Sequence, residues 1–320
     1  MGGHMKIRRI AALLALGAVV SAASAAEAGA QRSRDVDGHR VDTTFAFAAD
    51  GTVEIRMPHL GAGSADVRVT AWARNQVRIV AETDRGEVTI DASNRRLDIG
   101  TRSSRGTTRV DQLVVQVPAG ARVRIDNGGG DISVDGVRGG FEATTFNGDV
   151  TVRNVADRVS LKTFNGDVTA SNVEGRLTVN ASNGDVNLTG VRGEIAVETL
   201  NGDIDLRNVT SRDVRAKTMS GRISYDGSLD PGGEYNLNAF SGEIDLAIPA
   251  RTGATVRVST FSGTVDSPDF PLTLQPGAAS RESRGQSMTF NIGNGGARVS
   301  LESFSGEIRI RERRASGQDD

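Results

Sequence analysis

The chain has 320 residues, ample for a sizeable core, with a formal charge of −2 and no cysteine, so neither disulfide staples nor a nucleic-acid or anionic-lipid footprint is expected. Thirty-nine glycines, seven prolines and only ten Phe, two Tyr and one Trp accompany abundant Val, Thr, Asn, Asp and Arg. This is an alphabet of strands and turns, and beyond the first thirty residues no stretch has the length and apolar period of an amphipathic helix.

Residues 1–30 read as a secretory signal: Lys6, Arg8 and Arg9 form a basic start, Ile10 to Val20 an apolar run, and A-x-A cleavage sites end at Ala25, Ala28 or Ala30. Met5 reads as the natural start. A retained anchor is the alternative, but the run falls short of the roughly 20 residues a helix needs to span a bilayer. Cleavage would remove three positive charges and Glu27 and leave −4. The expected location is extracytoplasmic, whether periplasm, cell surface or secreted, with no membrane span in the mature chain. Residues 31–41 read as a linker.

From 42 to 117, alternating runs near Val53 to Met57, Ala65 to Trp72, Gln76 to Glu82, Glu87 to Ala92, Arg96 to Gly100 and Gln112 to Val117 are separated by Gly, Asp and Asn. They predict a β-rich N-terminal cap of antiparallel or mixed strands that covers the first edge of the repeat region. Trp72 is expected as a packing anchor, with a ligand platform as the alternative.

From 118 to 311 the chain repeats. N-G-D recurs at a step of eighteen, marked by Gly148, Gly166, Gly184 and Gly202, with Gly130 one step earlier. Gly221, Gly242 and Gly263 follow at steps of nineteen, twenty-one and twenty-one, and Gly306 lies forty-three further on, which reads as two more turns. Apolar residues recur at fixed offsets: Val150, Val152, Val155, Val159 and Leu161, then Val168, Ala170, Val173, Leu177 and Val179. Two short strands and a bridging apolar residue per repeat predict an all-β, parallel β-helix or β-solenoid with 18–22-residue coils about 4.8 Å apart. Nine or ten such coils would make a rod on the order of 45 Å long.

Three columns flank each marker glycine. Phe146, Phe164, Ser182, Leu200, Met219, Phe240, Phe261 and Phe304 stand two residues before it. Since the row does not respect aromaticity it is expected in the core, an exposed carbohydrate-binding strip being the alternative. Asn147, Asn165, Asn183 and Asn201 precede the glycine and are expected to stack as an amide ladder beside a corner that needs positive φ. Asp131, Asp149, Asp167, Asp185 and Asp203 follow it, with Glu243 and Glu307 later. Neighbouring carboxylates at this spacing repel by roughly 0.9 kcal/mol in water, so the row must be wet, partly protonated, capped by donors or bound to a cation. The five Asp are the calcium candidates, although Arg222 and Thr264 interrupt the row, and a solvated turn edge is the expected reading.

The stretch Ser267 to Gln286, with Pro268, Pro271 and Pro276, breaks the pattern and predicts a protruding loop or distorted coil; residues 312–320 read as a charged, disordered tail. The three histidines, His4, His39 and His59, have no ligand spacing, and there is no Cys nucleophile, nucleophile elbow or P-loop. No catalytic residue and no cofactor are expected.

The S-G-E-I, S-G-R-I and N-G-D-V phrases and the P-A-G-A-R-V-R-I lead-in resemble the bacterial β-strand-repeat family called "putative adhesin", domain of unknown function 4097, over roughly residues 45 to 310. The resemblance implies a right-handed β-helix that is secreted or envelope-associated, and it brings no catalytic residues. The function expected is a non-catalytic, adhesin-like binding or scaffold module of the cell envelope, a monomer whose partner is an envelope protein or glycan. A self-assembling envelope filament and a polysaccharide-active enzyme are the alternatives.

Overall fold

The computed structural model describes residues 39–57, 65–85, 87–102, 109–270, 273–274, 280–282 and 285–313. The signal segment with its cleavage sites, most of the linker, His4, His59 and tail residues 314–320 lie outside the described residues. Among the described residues there is no helix, and the strands join one 24-stranded sheet.

Two walls of parallel strands run the length of the molecule, in the register that the repeat demands. On one wall Ile132, Val150, Val168, Val186, Ile204 and Ile223 pair in succession. On the other, Phe141, Val159, Leu177, Ile195, Val214 and Tyr235 do the same. All of these side chains are buried, together with the bridging Val155, Val173 and Val191. Apolar residues two apart along each strand thus share one interior, and each large side chain so buried is worth roughly 1.5–3 kcal/mol. The longer step to Gly242 comes from Asp230-Pro231-Gly232-Gly233, where pairing skips from Ser211 opposite Leu229 to Asp213 opposite Glu234. Tyr225 and Tyr235 fill the widened interior edge-to-face, their ring centroids 5.8 Å apart.

The order of coils in space differs from their order in sequence at both ends. Thr52–Met57 lies parallel between Arg96–Arg102 and Arg122–Asn127, and Asp66–Trp72 between Arg109–Pro118 and Ile132–Asp135. The ladders therefore continue on both sides of residue 118. At the other end, Ala297–Ser305 lies between Ile223–Ser241 and Ala254–Thr260, and Glu307–Glu312 between Ile244–Ile248 and Thr264–Asp266. The forty-three residues from Gly263 to Gly306 are thus not two further turns. The chain passes beyond the coil of Gly263, lays Gly285–Ile292 antiparallel on Ala254–Thr260, and returns to fill the layer beneath.

Antiparallel strands cover both walls of the outermost coil at the N-terminal end and the Ala254–Thr260 wall at the other. Glu87–Ala92 pairs with Arg96–Arg102, Gln76–Arg85 pairs with Arg109–Pro118 and in turn with His39–Ala46. Within the irregular stretch, Thr273–Leu274 and Ser280–Glu282 pair with Gly285–Ile292. A strand of reversed direction interrupts the parallel ladder that another coil would extend, which disfavours end-to-end growth.

Candidate functional site

The site lies along one corner of the coil, and strand alternation builds it. In Val159, Leu161 and Thr163 every second residue points inward, so the next one, Phe164, emerges on the outside. Thr145, Thr163, Thr199, Thr218, Thr260 and Ser303 are the hydroxyl-bearing members of that buried inner column, which Ala181 and Ala239 complete. Their hydroxyls serve the corner backbone: Thr218 Oγ1 donates to Gly202 O at 3.1 Å and Ser303 Oγ to Gly242 O at 3.2 Å. Sequence reasoning missed this column, although the T-F-N-G phrase carries it.

The amide ladder forms as expected, with Asn165, Asn183 and Asn201 each donating Nδ2–H to the Oδ1 of the Asn one coil before, at 2.9 Å. These Asn are not the left-handed residues. That conformation belongs to Asn154, Asn172 and Asn208 at a second corner, with φ of 53–54°; positive φ is also found at the marker glycines Gly130, Gly148, Gly166, Gly184, Gly202, Gly221 and Gly306, but not at Gly242 or Gly263. At Gly166, φ is 147° and a Cβ would sit 2.1 Å from Gly148 O. The glycine is demanded by the close approach of the neighbouring coil as much as by its own dihedral.

The carboxylate row is capped by backbone donors. Oδ1 of Asp131, Asp149, Asp167 and Asp185 accepts the N–H of the Asp one coil later at 2.8–2.9 Å, and Asp203 accepts that of Arg222 at 2.7 Å. The column extends back to Asp66, which accepts the N–H of Asp131 at 3.1 Å. Arg222 also reaches Glu243 at 2.9 Å, so the basic residue that interrupts the row bridges two of its members. Among the described residues no three His, Cys, Asp or Glu side chains are grouped to hold a metal.

The apolar column is not buried, which corrects the core expectation. Phe146, Phe164, Leu200, Met219, Phe240, Phe261 and Phe304 are 42–54 % exposed. The physical reason is parity: an inward Leu161 and Thr163 leave Phe164 no inward direction. In spatial order the rungs run Phe146, Phe164, Ser182, Leu200, Met219, Phe240, Phe304, Phe261, eight coils spanning about 34 Å. Phe146 stacks on Phe164 with centroids 4.8 Å apart, and Phe304 stacks between Phe240 at 4.9 Å and Phe261 at 4.7 Å. Ring faces are turned toward each other along the rod and ring edges toward solvent. Ser182 is the one short rung, a notch between Phe164 and Leu200.

Elsewhere, an open polar groove of about 410 Å³ is lined by Asp205, Arg207, Arg222, Glu243 and Arg309 among others, but its charges are paired internally. Arg309 reaches Glu307 at 2.6 Å and Asp266 at 3.6 Å, and Arg207 is bonded to Asp205. Trp72 is half-buried, donates its indole N–H to Gln76 O at 2.6 Å, and carries the Arg74 guanidinium 5.2 Å from its ring centroid. Of the histidines, only His39 falls within the described residues, at the start of the strand His39–Ala46.

Among solved structures, a "putative adhesin" from Parabacteroides distasonis ATCC 8503 is 10% identical, covers 86% of this chain and 98% of its own, and has a TM-score of 0.45. A "putative adhesin" from Bacteroides fragilis NCTC 9343 is 15% identical, covering 88% of this chain and 100% of its own at a TM-score of 0.38. A "putative lipid binding protein" from Parabacteroides distasonis ATCC 8503 is 13% identical, covering 88% and 99% at a TM-score of 0.37. Likenesses this distant carry no functional argument. No curated protein matches the chain. The family described as Toastrack DUF4097 matches residues 59–311, most of the chain, and the protein belongs to that family.

Proposed function

We propose that the chain is a non-catalytic, adhesin-like binding or scaffold module of the bacterial cell envelope, exported from the cytoplasm and wound as a right-handed β-helix with 18–22-residue coils. The exposed ladder is its contact line. The observation that carries this reading is the ladder itself: seven large apolar side chains held about half exposed on a rigid corner. At roughly 80–100 Å² apiece they present about 600 Å² of apolar surface, the upper end of what an isolated monomer carries.

The orientation of the rings bears on the partner. Sugars stack on aromatic faces, and here each ring turns one face to a neighbouring ring and Phe304 turns both, so the reduced face area favours apolar protein side chains over a glycan. The reversed strands at the rod ends disfavour the filament alternative.

The test compares the mature chain with a Phe164→Ser, Phe240→Ser, Phe304→Ser variant. Wild type should retain a protein from solubilised native envelope and the variant should not, while both give the same β-sheet circular dichroism. Equal retention would remove the ladder as the contact line. Cell fractionation tests the address, and finding the chain in the cytoplasm with residues 1–30 attached would overturn export.

A further inference from the structure

Resting on the reading of the ladder as a contact line, we infer that its occupant is a second copy of this chain, docked antiparallel about a twofold axis that passes between the Leu200 and Met219 rungs. Three independent features of the outer face point there.

The first is spacing. A partner that matches the ladder rung for rung repeats at about 4.8 Å over eight rungs, and another copy of the same ladder meets that condition. With the columns beside it, the face approaches the roughly 800 Å² per partner of a standard interface.

The second is shape. Reversing the ladder about its midpoint sets Leu200 against Met219 of the second copy, and the notch at Ser182 against Phe240 of the second copy. The one short rung receives a large ring. Side-by-side parallel docking would instead put two notches together and leave a void.

The third is charge. Two residues before the ladder, and on the same outer face, runs the column Thr144, Lys162, Asn180, Glu198, Lys217, Asn238, Glu302, Ser259. A twofold axis in the contact plane and across the rods lays this column on its own reverse. Lys162 then meets Glu302 of the second copy, Asn180 meets Asn238, and Glu198 meets Lys217. Within this column every charge finds an opposite charge and every amide an amide. Within one chain Lys217 already bonds Glu198 at 3.1 Å, so the centre of the interface becomes a four-charge network. The reversed end strands disfavour growth along the axis, whereas this contact is lateral and closes after two copies.

Charge reversal tests the inference. Lys162 and Glu302 of one chain lie five rungs, about 24 Å, apart, so they can meet only across copies. Sedimentation velocity of the mature wild-type chain from 1 to 200 μM should show a dimer. Lys162→Glu and Glu302→Lys, each alone, should weaken it at least tenfold, because each places two like-charged pairs in the interface. An equimolar mixture of the two variants should restore dimers, as every pair in that heterodimer is again opposite. Thermal midpoints establish that both variants fold. A wild type that stays monomeric at 200 μM, a dimer indifferent to the single reversals, or a mixture no tighter than its components would each overturn the inference. If the wild type is monomeric yet the serine variant still loses an envelope protein, the contact line stands and only the second copy falls.

Discussion

Replacing Gly166 by Ala tests how tightly the corner is built. The new methyl would stand 2.1 Å from Gly148 O, at a φ of 147° that other residues resist. The dihedral alone costs on the order of 1–3 kcal/mol. Relieving the clash requires the two coils to part by about 1 Å at a backbone carbonyl that hydrogen bonds hold on either side, an overpacking cost of roughly 1–3 kcal/mol. The expected loss is therefore about 2–6 kcal/mol. Gly232 supplies the control, because its φ is +82° and nothing lies within 4 Å of a Cβ built there. Gly232→Ala should cost about 1–2 kcal/mol, from the dihedral alone. Urea unfolding followed by circular dichroism measures both, and the midpoint should fall much further for Gly166→Ala at an unchanged slope. Equal losses at the two positions would refute the close approach as the reason for the repeated glycine.

Leu161→Ala should cost roughly 2–5 kcal/mol and Phe164→Ser about 0.5–1.5, since the first side chain is buried and the second is half exposed and held by its stack on Phe146; equal thermal losses would restore the buried reading. Burial pushes the phenol pKa of Tyr225 and Tyr235, the chain's two tyrosines, above the ordinary value, most strongly at Tyr225. The stability linked to neutral phenols is fully present below the unfolded tyrosine value near 10 and is lost as pH rises through the folded values. Phenolate absorbance at pH 10.5, about half a unit above the ordinary tyrosine value, should thus stay well below that of the urea-unfolded chain, and coincident curves would refute the burial. Asp167→Ala removes the acceptor for Asp185 N–H and should cost about 1 kcal/mol in urea unfolding, with Asp167→Asn closer to wild type; equal losses from the two would deny the cap. Because one oxygen of each row Asp is already engaged, 10 mM calcium, on the order of 100-fold above a 0.1 mM site, should leave the thermal midpoint unmoved; a rise would show that the row holds the cation.

The interior was legible because Val150, Val152, Val159 and Leu161 recur with both the strand period and the coil period, and the two agree. At Phe164 the two cues conflict, hydrophobicity pulling inward and alternation pointing outward, and alternation wins because the backbone fixes it. Thr163 was the legible sign, a polar residue on the inward parity whose hydroxyl meets the corner carbonyls. The glycine column was visible as glycine, but its steric cause lies in the coil next door, which no local phrase reports. The coil order was hidden for a related reason. A-T-V-R-V-S-T-F-S-G and A-R-V-S-L-E-S-F-S-G fit either layer equally well, so nothing in either phrase says which lies beneath the other.

The interleaved ends bear directly on the contact face. In a solenoid wound strictly in sequence, the terminal coils have a neighbour on one side only and are the first to fray. Here the coils nearest each chain end are the second layers in space, gripped on both sides, and the outermost coils are continuous with chain in both directions. The same interleaving sets the order of the last two rungs. Phe304 stacks between Phe240 and Phe261, and Glu302 stands seventh in its column with Ser259 eighth. Winding in sequence order would exchange them, setting Lys162 opposite Ser259 of the second copy and stranding Glu302 against Thr144. The return of the chain beneath its own outer coil is therefore what makes the face complementary to itself.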